Sequence, residues 1–326
     1  DTDGELRWIA TGITNSISTA FKDNAFVIGE QMSTNFRRLE LDGSMTAGYL
    51  ISPTYTNFHH NIDAGKSGLL ADVDVRIEGA TSIESILAEF NDTGAVIAEW
   101  DLAAILSTYM LDHGDDPGTF VRPGVDWFHM NAATYDARDD SVIVSSRENF
   151  IIKLGYTSRE VIWILGDPTK YWYSFPSLRA KSLALAPGGL YPIGQHAPSI
   201  TSDGLLMVFN NGLQSFNVPA GAPVGDSRSY SAVSAYEIDP VAMTAREAWR
   251  FDHGQTILST VCSSAYEAPG QSILVNYAVA DNFAHTRLVG LNASREVIFD
   301  FQYNNPGNCD ASWNAVPVHL ENMSYL

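Results

Sequence analysis

The 326-residue sequence has little positive charge and almost no cysteine. Lys and Arg number 19 against 38 Asp and Glu, which gives a formal net charge of −19. Such a balance repels nucleic acid and anionic membrane surfaces, so any anionic ligand needs a local pocket. No apolar run approaches the roughly 18 residues of a membrane-spanning helix, and no secretory signal peptide precedes Asp1.

The two cysteines, Cys262 and Cys309, leave two interpretations open. They form one disulfide in an exported protein, or they are two separate buried thiols. The sequence does not decide between them.

Long helical periodicity is also absent, except for one short helix predicted at 101–111 (DLAAILSTYML). Instead, a turn followed by an apolar strand that ends near an aromatic residue occurs six times. The copies lie at 1–10, 41–51, 90–102, 154–165, 238–251 and 291–301. Further apolar strands precede most copies, and their turn residues predict hairpins.

Groups of strands at this spacing are typical of a β-propeller, in which four-stranded blades surround a channel. Six copies predict an all-β, six-bladed propeller that occupies residues 1–326 as a single domain. The first copy lacks inner strands, and the C-terminal stretch NAVPVHLENMSYL lacks an outer one. We therefore expect a last blade closed by strands from both termini. The alternative is an open β-sandwich array, which unpaired edges disfavour.

The segments 103–124 and 167–191 are expected to form loops over one face of the propeller. The second contains Tyr171, Trp172 and Tyr173. These rings could stack on an aromatic ligand or pack against a neighbouring blade.

Aligning the blades places three histidines at one repeat position. FHHN superimposes His59 on His129 of FHMN and Asn61 on Asn131, and GQHAP adds His196. The innermost strand of each blade faces the channel, so the three side chains are expected to converge near the axis. Strand alternation predicts that His60 points away from His59.

The site is predicted to bind an anion rather than a metal. Three histidines could hold zinc, but Arg147 follows on the strand next to His129. A fixed cation is unfavourable beside a metal dication and favourable beside sulfate or phosphate. Carboxylates are scarce at the aligned positions, which argues against a glycosidase with two carboxylates.

Several runs carry a family resemblance: DWFHMNAATYD, VIVSSRENFIIKL, VIWILGDP, YPIGQHAPSI and SYSAVSAYEIDPVAMTAREAW. Together they resemble the bacterial arylsulfate sulfotransferases, which do not use the nucleotide sulfate donor. That family is a six-bladed propeller with its site in the central channel. It usually carries a further β-rich domain ahead of the propeller, which nothing in this sequence matches.

The resemblance implies a role for each candidate residue. His196, in the Gln-His motif, would take the sulfuryl group covalently, and transfer would be ping-pong. Arg147 would hold sulfuryl oxygens, and Asn131 would donate a further hydrogen bond. His129 and His59 would clamp oxygens and move a proton, with His60 as the neighbour that could replace His59.

The resemblance also implies the partners and the location. The partners would be an aryl sulfate donor and a phenolic acceptor, with no cofactor, metal or nucleic acid. The protein would be periplasmic or secreted, and a homodimer remains open.

Two other functions compete with this interpretation. One is a metal-dependent propeller hydrolase, with the histidines and Asn210 or Asn211 around an ion. The other is a non-catalytic propeller that presents its aromatic loops to a ligand.

Overall fold

The computed structural model describes residues 1–11, 13, 16–30, 32–77, 80–307, 309, 312–319 and 323. The strands are β1 (Ser16–Lys22), β2 (Ala25–Glu30), β3 (Asn35–Glu40), β4 (Met45–Tyr49), β5 (Tyr55–Ala64), β6 (Leu69–Ile77), β7 (Ala80–Phe90), β8 (Val96–Asp101), β9 (Met130–Asp136), β10 (Ser141–Ser146), β11 (Ile151–Gly155), β12 (Val161–Leu165), β13 (Ala184–Leu185), β14 (Gln195–Ile200), β15 (Leu206–Asn210), β16 (Ala232–Asp239), β17 (Thr244–Phe251), β18 (Ser264–Ala268), β19 (Ser272–Val279), β20 (His285–Leu291) and β21 (Val297–Asn304). The helices are α1 (Leu102–Asp112), α2 (Pro176–Arg179) and α3 (Ala280–Phe283), with single 3-10 turns at Pro117–Thr119, Tyr171–Ser174, His253–Gln255 and Pro269–Gln271.

Within the described residues, the strands form five antiparallel blades. Blades one to three are β1–β4, β5–β8 and β9–β12, each with its strands in chain order. Blade four is β14–β17, extended by a parallel pairing of β13 with β17, and blade five is β18–β21. Tight turns join the strands. Asp23 and Asn24, between β1 and β2, have φ of 49° and 63°, as a type I′ hairpin turn requires.

The innermost strands β1, β5, β9, β14 and β18 lie beside one another in sequence order. Asn61 of β5 also donates to the hydroxyl of Tyr266 in β18, at 3.2 Å. Blade two therefore meets blade five across the axis, and the inner strands enclose a common centre.

The prediction of six blades is wrong, because the copy at 1–10 forms no strand. That segment runs between blades five and one: Gly4 lies against Phe301, and Trp8 stacks on Phe26 at 5.3 Å. A lone outer strand without its three inner neighbours has no ladder to join. Residues 312–319 also form no strand, and the rest of the stretch expected to close the ring lies largely outside the described residues. The other five copies supply β4, β8, β12, β17 and β21.

Hydrophobic side chains fill the space between successive blades. Leu87 of blade two packs with Val142 of blade three, and Ile143 of blade three packs with Leu206 of blade four. Because blade three is covered on both faces, burial does not alternate along its strands, and every residue of β10, serines included, is buried. Truncating one such side chain to Ala typically costs about 2–5 kcal/mol of stability.

The predicted helix is confirmed as α1, which begins after Asp101. The Asp101 carboxylate caps it by accepting from the Ala104 N–H at 2.9 Å. In the loop after β12, Trp172 is fully buried among blade-three side chains, with Tyr171 and Tyr173 packed against the same cluster. These aromatic residues therefore take the packing role, not that of an exposed ligand platform. No helix in the described part of the chain is long and apolar enough to cross a membrane.

Candidate active site

Three histidines meet at one end of the inner strands. His59 and His60 lie in β5, and His129 immediately precedes β9. The His60 ring centroid is 5.7 Å from that of His59 and 4.8 Å from that of His129. His196, in β14, lies close enough for the charge on His129 to add to the effect of burial in lowering its pKa. The sequence-predicted histidines thus share one neighbourhood.

The expectation that His60 points away from His59 is wrong, because β5 contains a bulge. His59 pairs with Asp72 and Ile62 pairs with Ala71, so His60 and Asn61 have no partners in β6. His60 also has φ of 45°, a left-handed conformation that is unfavourable for a residue with a Cβ. The bulge interrupts alternation and brings two consecutive histidines to the centre.

Bulges with a residue of positive φ also occur in the inner strands of the next two blades. The register of β9 against β10 shifts beside Asn131, and His129 has φ of 50°. In β14 the register shifts after His196, and Ala197 has φ of 50°. Strained backbone of this kind costs on the order of 1–3 kcal/mol per residue and clusters at functional sites.

Glu84 of β7 is the carboxylate at the centre of the histidines. Its oxygens lie 2.9 Å from His59 Nδ1, 3.0 Å from His60 Nε2 and 2.9 Å from His129 Nδ1. Its backbone N–H donates to Asp74 at 3.0 Å, and Asp74 also contacts His59 Nε2 at 3.0 Å. The prediction of few carboxylates concerned only the aligned positions, and Asp74 and Glu84 reach the site from β6 and β7 instead.

These contacts set the charges of the cluster. Burial disfavours the charged form of His59, but hydrogen bonds to Asp74 and Glu84 outweigh it and raise its pKa to about 11. Burial likewise opposes protonation of His129, while the charge of Glu84 and the hydrogen bond to Asp126, at 2.6 Å, raise its pKa to about 10. Both rings are therefore cations at neutral pH.

Burial lowers the pKa of His60 despite its contact with Glu84. In Glu84 itself, the charges and hydrogen bonds of the histidines outweigh burial, and its pKa lies far below the ordinary value. Glu84 is thus ionised. The cluster combines one shared anion with two cationic rings.

His196 differs from the other three histidines. It is buried, with 5% of its surface exposed, and its Nδ1 lies 2.7 Å from Asn211 Oδ1 and 3.2 Å from the Gly194 carbonyl oxygen. Burial holds its pKa well below the ordinary value, and the positive charges of Arg147 and His129 add to that effect. His196 is therefore neutral, as a nucleophile must be.

Arg147 is buried next to the histidines, and its backbone N–H donates to the His129 carbonyl at 3.0 Å. Its Nη1 is 2.5 Å from Glu148 Oε1, and its guanidinium lies 4.2 Å above the Phe216 ring. Glu148 also accepts from the backbone N–H of Phe216 at 2.6 Å. One edge of the Arg147 guanidinium is thus paired with Glu148, and this ion pair fixes the plane of the guanidinium.

Lys170 supports this turn and was not singled out in the sequence. Its Nζ donates to the carbonyls of Glu148 at 3.0 Å and Arg147 at 3.3 Å, and burial lowers its pKa to about 8. A lysine inside the aromatic run TKYWY was the available signal. It adds a second cation behind Arg147.

Asn131 ties blade three to blade four. Its Nδ2 donates to the carbonyl of Gln195, the residue before His196, at 2.7 Å. Its Oδ1 is buried and has no hydrogen-bond partner in the described part of the chain. Asn131 therefore holds strand β14 next to β9, and its Oδ1 and second amide proton remain available to other groups.

A segment after blade five covers the cluster. Trp313 stacks on the His60 ring, with centroids 5.2 Å apart, and its carbonyl accepts from the Ser263 N–H at 3.2 Å. The disulfide Cys262–Cys309 attaches this segment to the start of blade five, so the two cysteines are paired and are not separate thiols. Trp313 excludes water from one side of the histidines.

The same side chains could hold a metal ion in two ways. His59, His60 and Glu84 form one group of donor atoms within 4.8 Å of one another, and Glu84, Asp126 and His129 form the other. Imidazole and carboxylate ligands suit zinc and similar ions. His196 belongs to neither group.

Similarity to known proteins shows the family of this chain. The family model for arylsulfotransferase (ASST) matches residues 1–314, and the chain belongs to this family. It is 29% identical over 225 residues to the arylsulfate sulfotransferase AssT of Escherichia coli O6:H1 (strain CFT073), covering 63% of this chain and 36% of that protein. For the AssT of Lelliottia amnigena the identity is 28% over 223 residues, covering 62% and 36%. The chain thus spans about a third of the length of these relatives.

Among solved structures, a protein of unknown function from Bacteroides caccae has a TM-score of 0.50 at 9% identity, covering 88% of this chain and 81% of that one. At this identity the likeness concerns the fold alone.

Proposed function

We propose that this chain transfers a sulfuryl group from an aryl sulfate to a phenol in two steps, with His196 as the nucleophile. The observation that carries the proposal is the division of charge among the histidines. His196 is neutral and touches no carboxylate among the described residues, whereas His59 and His129 are held as cations.

In the first step, the His196 lone pair attacks sulfur while the bond from sulfur to the aryl oxygen breaks. Sulfuryl transfer resembles phosphoryl transfer, in which charge spreads over the equatorial oxygens of a loose transition state. Fixed cations then stabilise the transition state without reorganisation. Arg147 would bind sulfuryl oxygens through its free edge, and Asn131 would donate its remaining amide proton.

The departing aryl oxygen needs a proton or a cation, and His129 and His59 each carry a proton next to a carboxylate. One of them would protonate the phenolate and then accept the proton of the incoming phenol. The phenol oxygen attacks sulfur, the N–S bond breaks, and His196 returns to its neutral form. Donor and acceptor therefore occupy the site in turn, which predicts ping-pong kinetics.

A covalent adduct tests the proposal directly. The protein is incubated with 4-nitrophenyl sulfate without acceptor and analysed by mass spectrometry. We expect one added sulfuryl group on His196, labile to acid and removed by phenol. His196→Ala should form no adduct and release no nitrophenolate, whereas His285→Ala, which removes an exposed histidine paired with Asp281 at 2.8 Å, should behave like the native chain. A native level of adduct in His196→Ala would refute the assignment.

The two donor groups around Glu84 support a second candidate, a metal-dependent hydrolase. It predicts that a bound metal copurifies with the protein and that a chelator abolishes turnover of aryl sulfates. Turnover that survives chelation favours sulfuryl transfer to His196.

We also place the protein in an oxidising compartment, the periplasm or the exterior of the cell. The Cys262–Cys309 disulfide supports this, because disulfides persist in such compartments and are rare in the cytosol.

A further inference from the structure

Asn211 follows β15 and faces His196 of β14, the strand paired with it. It is fully buried, and its Oδ1 is 2.7 Å from His196 Nδ1. Its Nδ2 donates to two backbone carbonyls of the segment that joins blade four to blade five, Ser259 at 2.7 Å and Cys262 at 3.0 Å. Asn211 therefore joins the His196 ring to the backbone of that segment.

The amide can adopt only one orientation here. Carbonyl oxygens accept and cannot donate, so the amide nitrogen must face Ser259 and Cys262. Turning the amide over would bring its oxygen against two carbonyl oxygens and lose both hydrogen bonds. Each buried group left without a partner costs about 1–3 kcal/mol. Asn211 Oδ1 is consequently fixed toward His196.

The two residues that supply these carbonyls, Ser259 and Cys262, are themselves fixed by further contacts. The Ser231 hydroxyl accepts from the Ser259 N–H at 2.8 Å and donates to the Asn211 carbonyl at 2.9 Å. Cys262 is joined to Cys309 by the disulfide. The acceptor that faces His196 therefore depends on structure in blade four and in the segment that follows it.

The atoms around His196 Nδ1 decide where its proton sits. Asn211 Oδ1 and the Gly194 carbonyl at 3.2 Å both face Nδ1, and neither can donate. A neutral imidazole has one N–H, so that proton lies on Nδ1 and the lone pair lies on Nε2.

We propose that Asn211 is a positioning residue that fixes His196 in the Nδ1–H tautomer and so presents Nε2 to sulfur. This inference rests on the proposed function. As the N–S bond forms at Nε2 and the S–O bond breaks, positive charge spreads over the ring, and the Nδ1–H bond to Asn211 strengthens. When the phenol removes the sulfuryl group, the electron pair returns to Nε2 and the proton remains on Nδ1.

Nitrogen-15 spectroscopy of the histidine rings tests the tautomer without requiring turnover. In protein labelled on histidine, the His196 signals are assigned by their loss in His196→Gln. We expect the native chain to show a protonated Nδ1 and a bare Nε2. A native spectrum with the proton on Nε2 would overturn the inference, whether or not the adduct on His196 forms. A protein with the expected tautomer and no adduct would instead contradict the proposed function alone.

Two substitutions at Asn211 separate positioning from folding. Asn211→Leu removes the acceptor, and we expect mixed tautomers and a kcat lowered at least about a hundredfold, with a smaller change in KM, because a misplaced imidazole proton is costly in related chemistry. Asn211→Asp keeps an oxygen toward His196, so we expect it to retain the Nδ1–H tautomer, with a raised His196 pKa that moves the acid limb of kcat/KM to higher pH. Native kcat and a native tautomer in Asn211→Leu would contradict the proposal.

Asn149→Leu is the matched control. It removes another buried amide, which donates to the Trp127 carbonyl at 2.9 Å and contacts no histidine among the described residues. We expect this variant to lose stability while His196 keeps its native tautomer. A changed tautomer in the control would mean that loss of packing, rather than loss of the Asn211 acceptor, moves the proton.

Discussion

The substitution Glu84→Gln tests whether one buried carboxylate holds the histidine cluster. It keeps the shape of the side chain and removes the charge that contacts His59, His60 and His129. Breaking a buried ion pair by removing one partner typically costs 3–5 kcal/mol. His59 retains Asp74 and His129 retains Asp126, so we expect the lower end of this range, about 3 kcal/mol.

The loss should depend on pH in a defined direction. The raised pKa values of His59 and His129, about 11 and about 10, stabilise the native protein fully below the ordinary histidine pKa, and this contribution is lost as pH rises through those values. Glu84 has a lowered pKa, so the stability that its ionised carboxylate contributes is lost as pH falls into the acid range. The difference in unfolding free energy between native and variant chains should therefore be largest between the ordinary carboxylate pKa and neutrality, decrease steadily as pH rises above neutrality, and be smallest above about pH 11.

Urea denaturation at neutral and alkaline pH measures this difference. Glu89→Gln is the matched control, because Glu89 is a buried carboxylate on the same strand that accepts from the Ser67 and Gly68 N–H groups and contacts no histidine in the described part of the chain. Glu89 also accepts from the Tyr156 hydroxyl at 2.7 Å, so the control should lose stability by an amount that stays constant from neutrality to about pH 10, the ordinary pKa of tyrosine. The reasoning is refuted if Glu84→Gln shows the pH dependence of the control.

Two further results are expected. Arg147→Ala should lower kcat for release of nitrophenolate at least about a hundredfold, like removal of an oxyanion donor. Arg147→Lys should restore only part of this activity, because lysine lacks the planar guanidinium that binds two oxygens. A loss below about tenfold in Arg147→Ala would show that Arg147 does not bind the sulfuryl group. Cys309→Ser should lower the unfolding free energy by about 4 kcal/mol, because the disulfide no longer restricts the entropy of the unfolded loop that it closes. A reductant should shift the urea midpoint of the native chain but not that of the variant.

Repeat spacing was enough to predict the propeller and five of its outer strands, because each hairpin carries its own turn residues. It failed for the copy at 1–10, whose residues satisfy the local pattern but have no inner strands to pair with. Blade number depends on pairing between strands, which a local pattern does not contain.

The position of the candidate site could also be predicted from the sequence, because equivalent positions in a repeat converge on the axis. The placement of His60 could not, because a two-residue bulge reverses the alternation that the prediction assumed. Glu84 was missed because it lies on the third strand of its blade, outside the aligned positions. An acid within the apolar run SIESILAEF was the available signal.

The bulges of β5, β9 and β14 separate the residues that pair the strands from the residues that form the candidate site. In three blades a histidine lies at or just before the bulge: His59 and His60 in one, His129 in the next and His196 in the third. A substitution at one of these positions changes one reactive group and leaves the ladder intact. Deleting one residue there would instead reverse the facing of the strand beyond it. The reactive groups of this protein can therefore be changed by substitution far more easily than by altering the length of its inner strands.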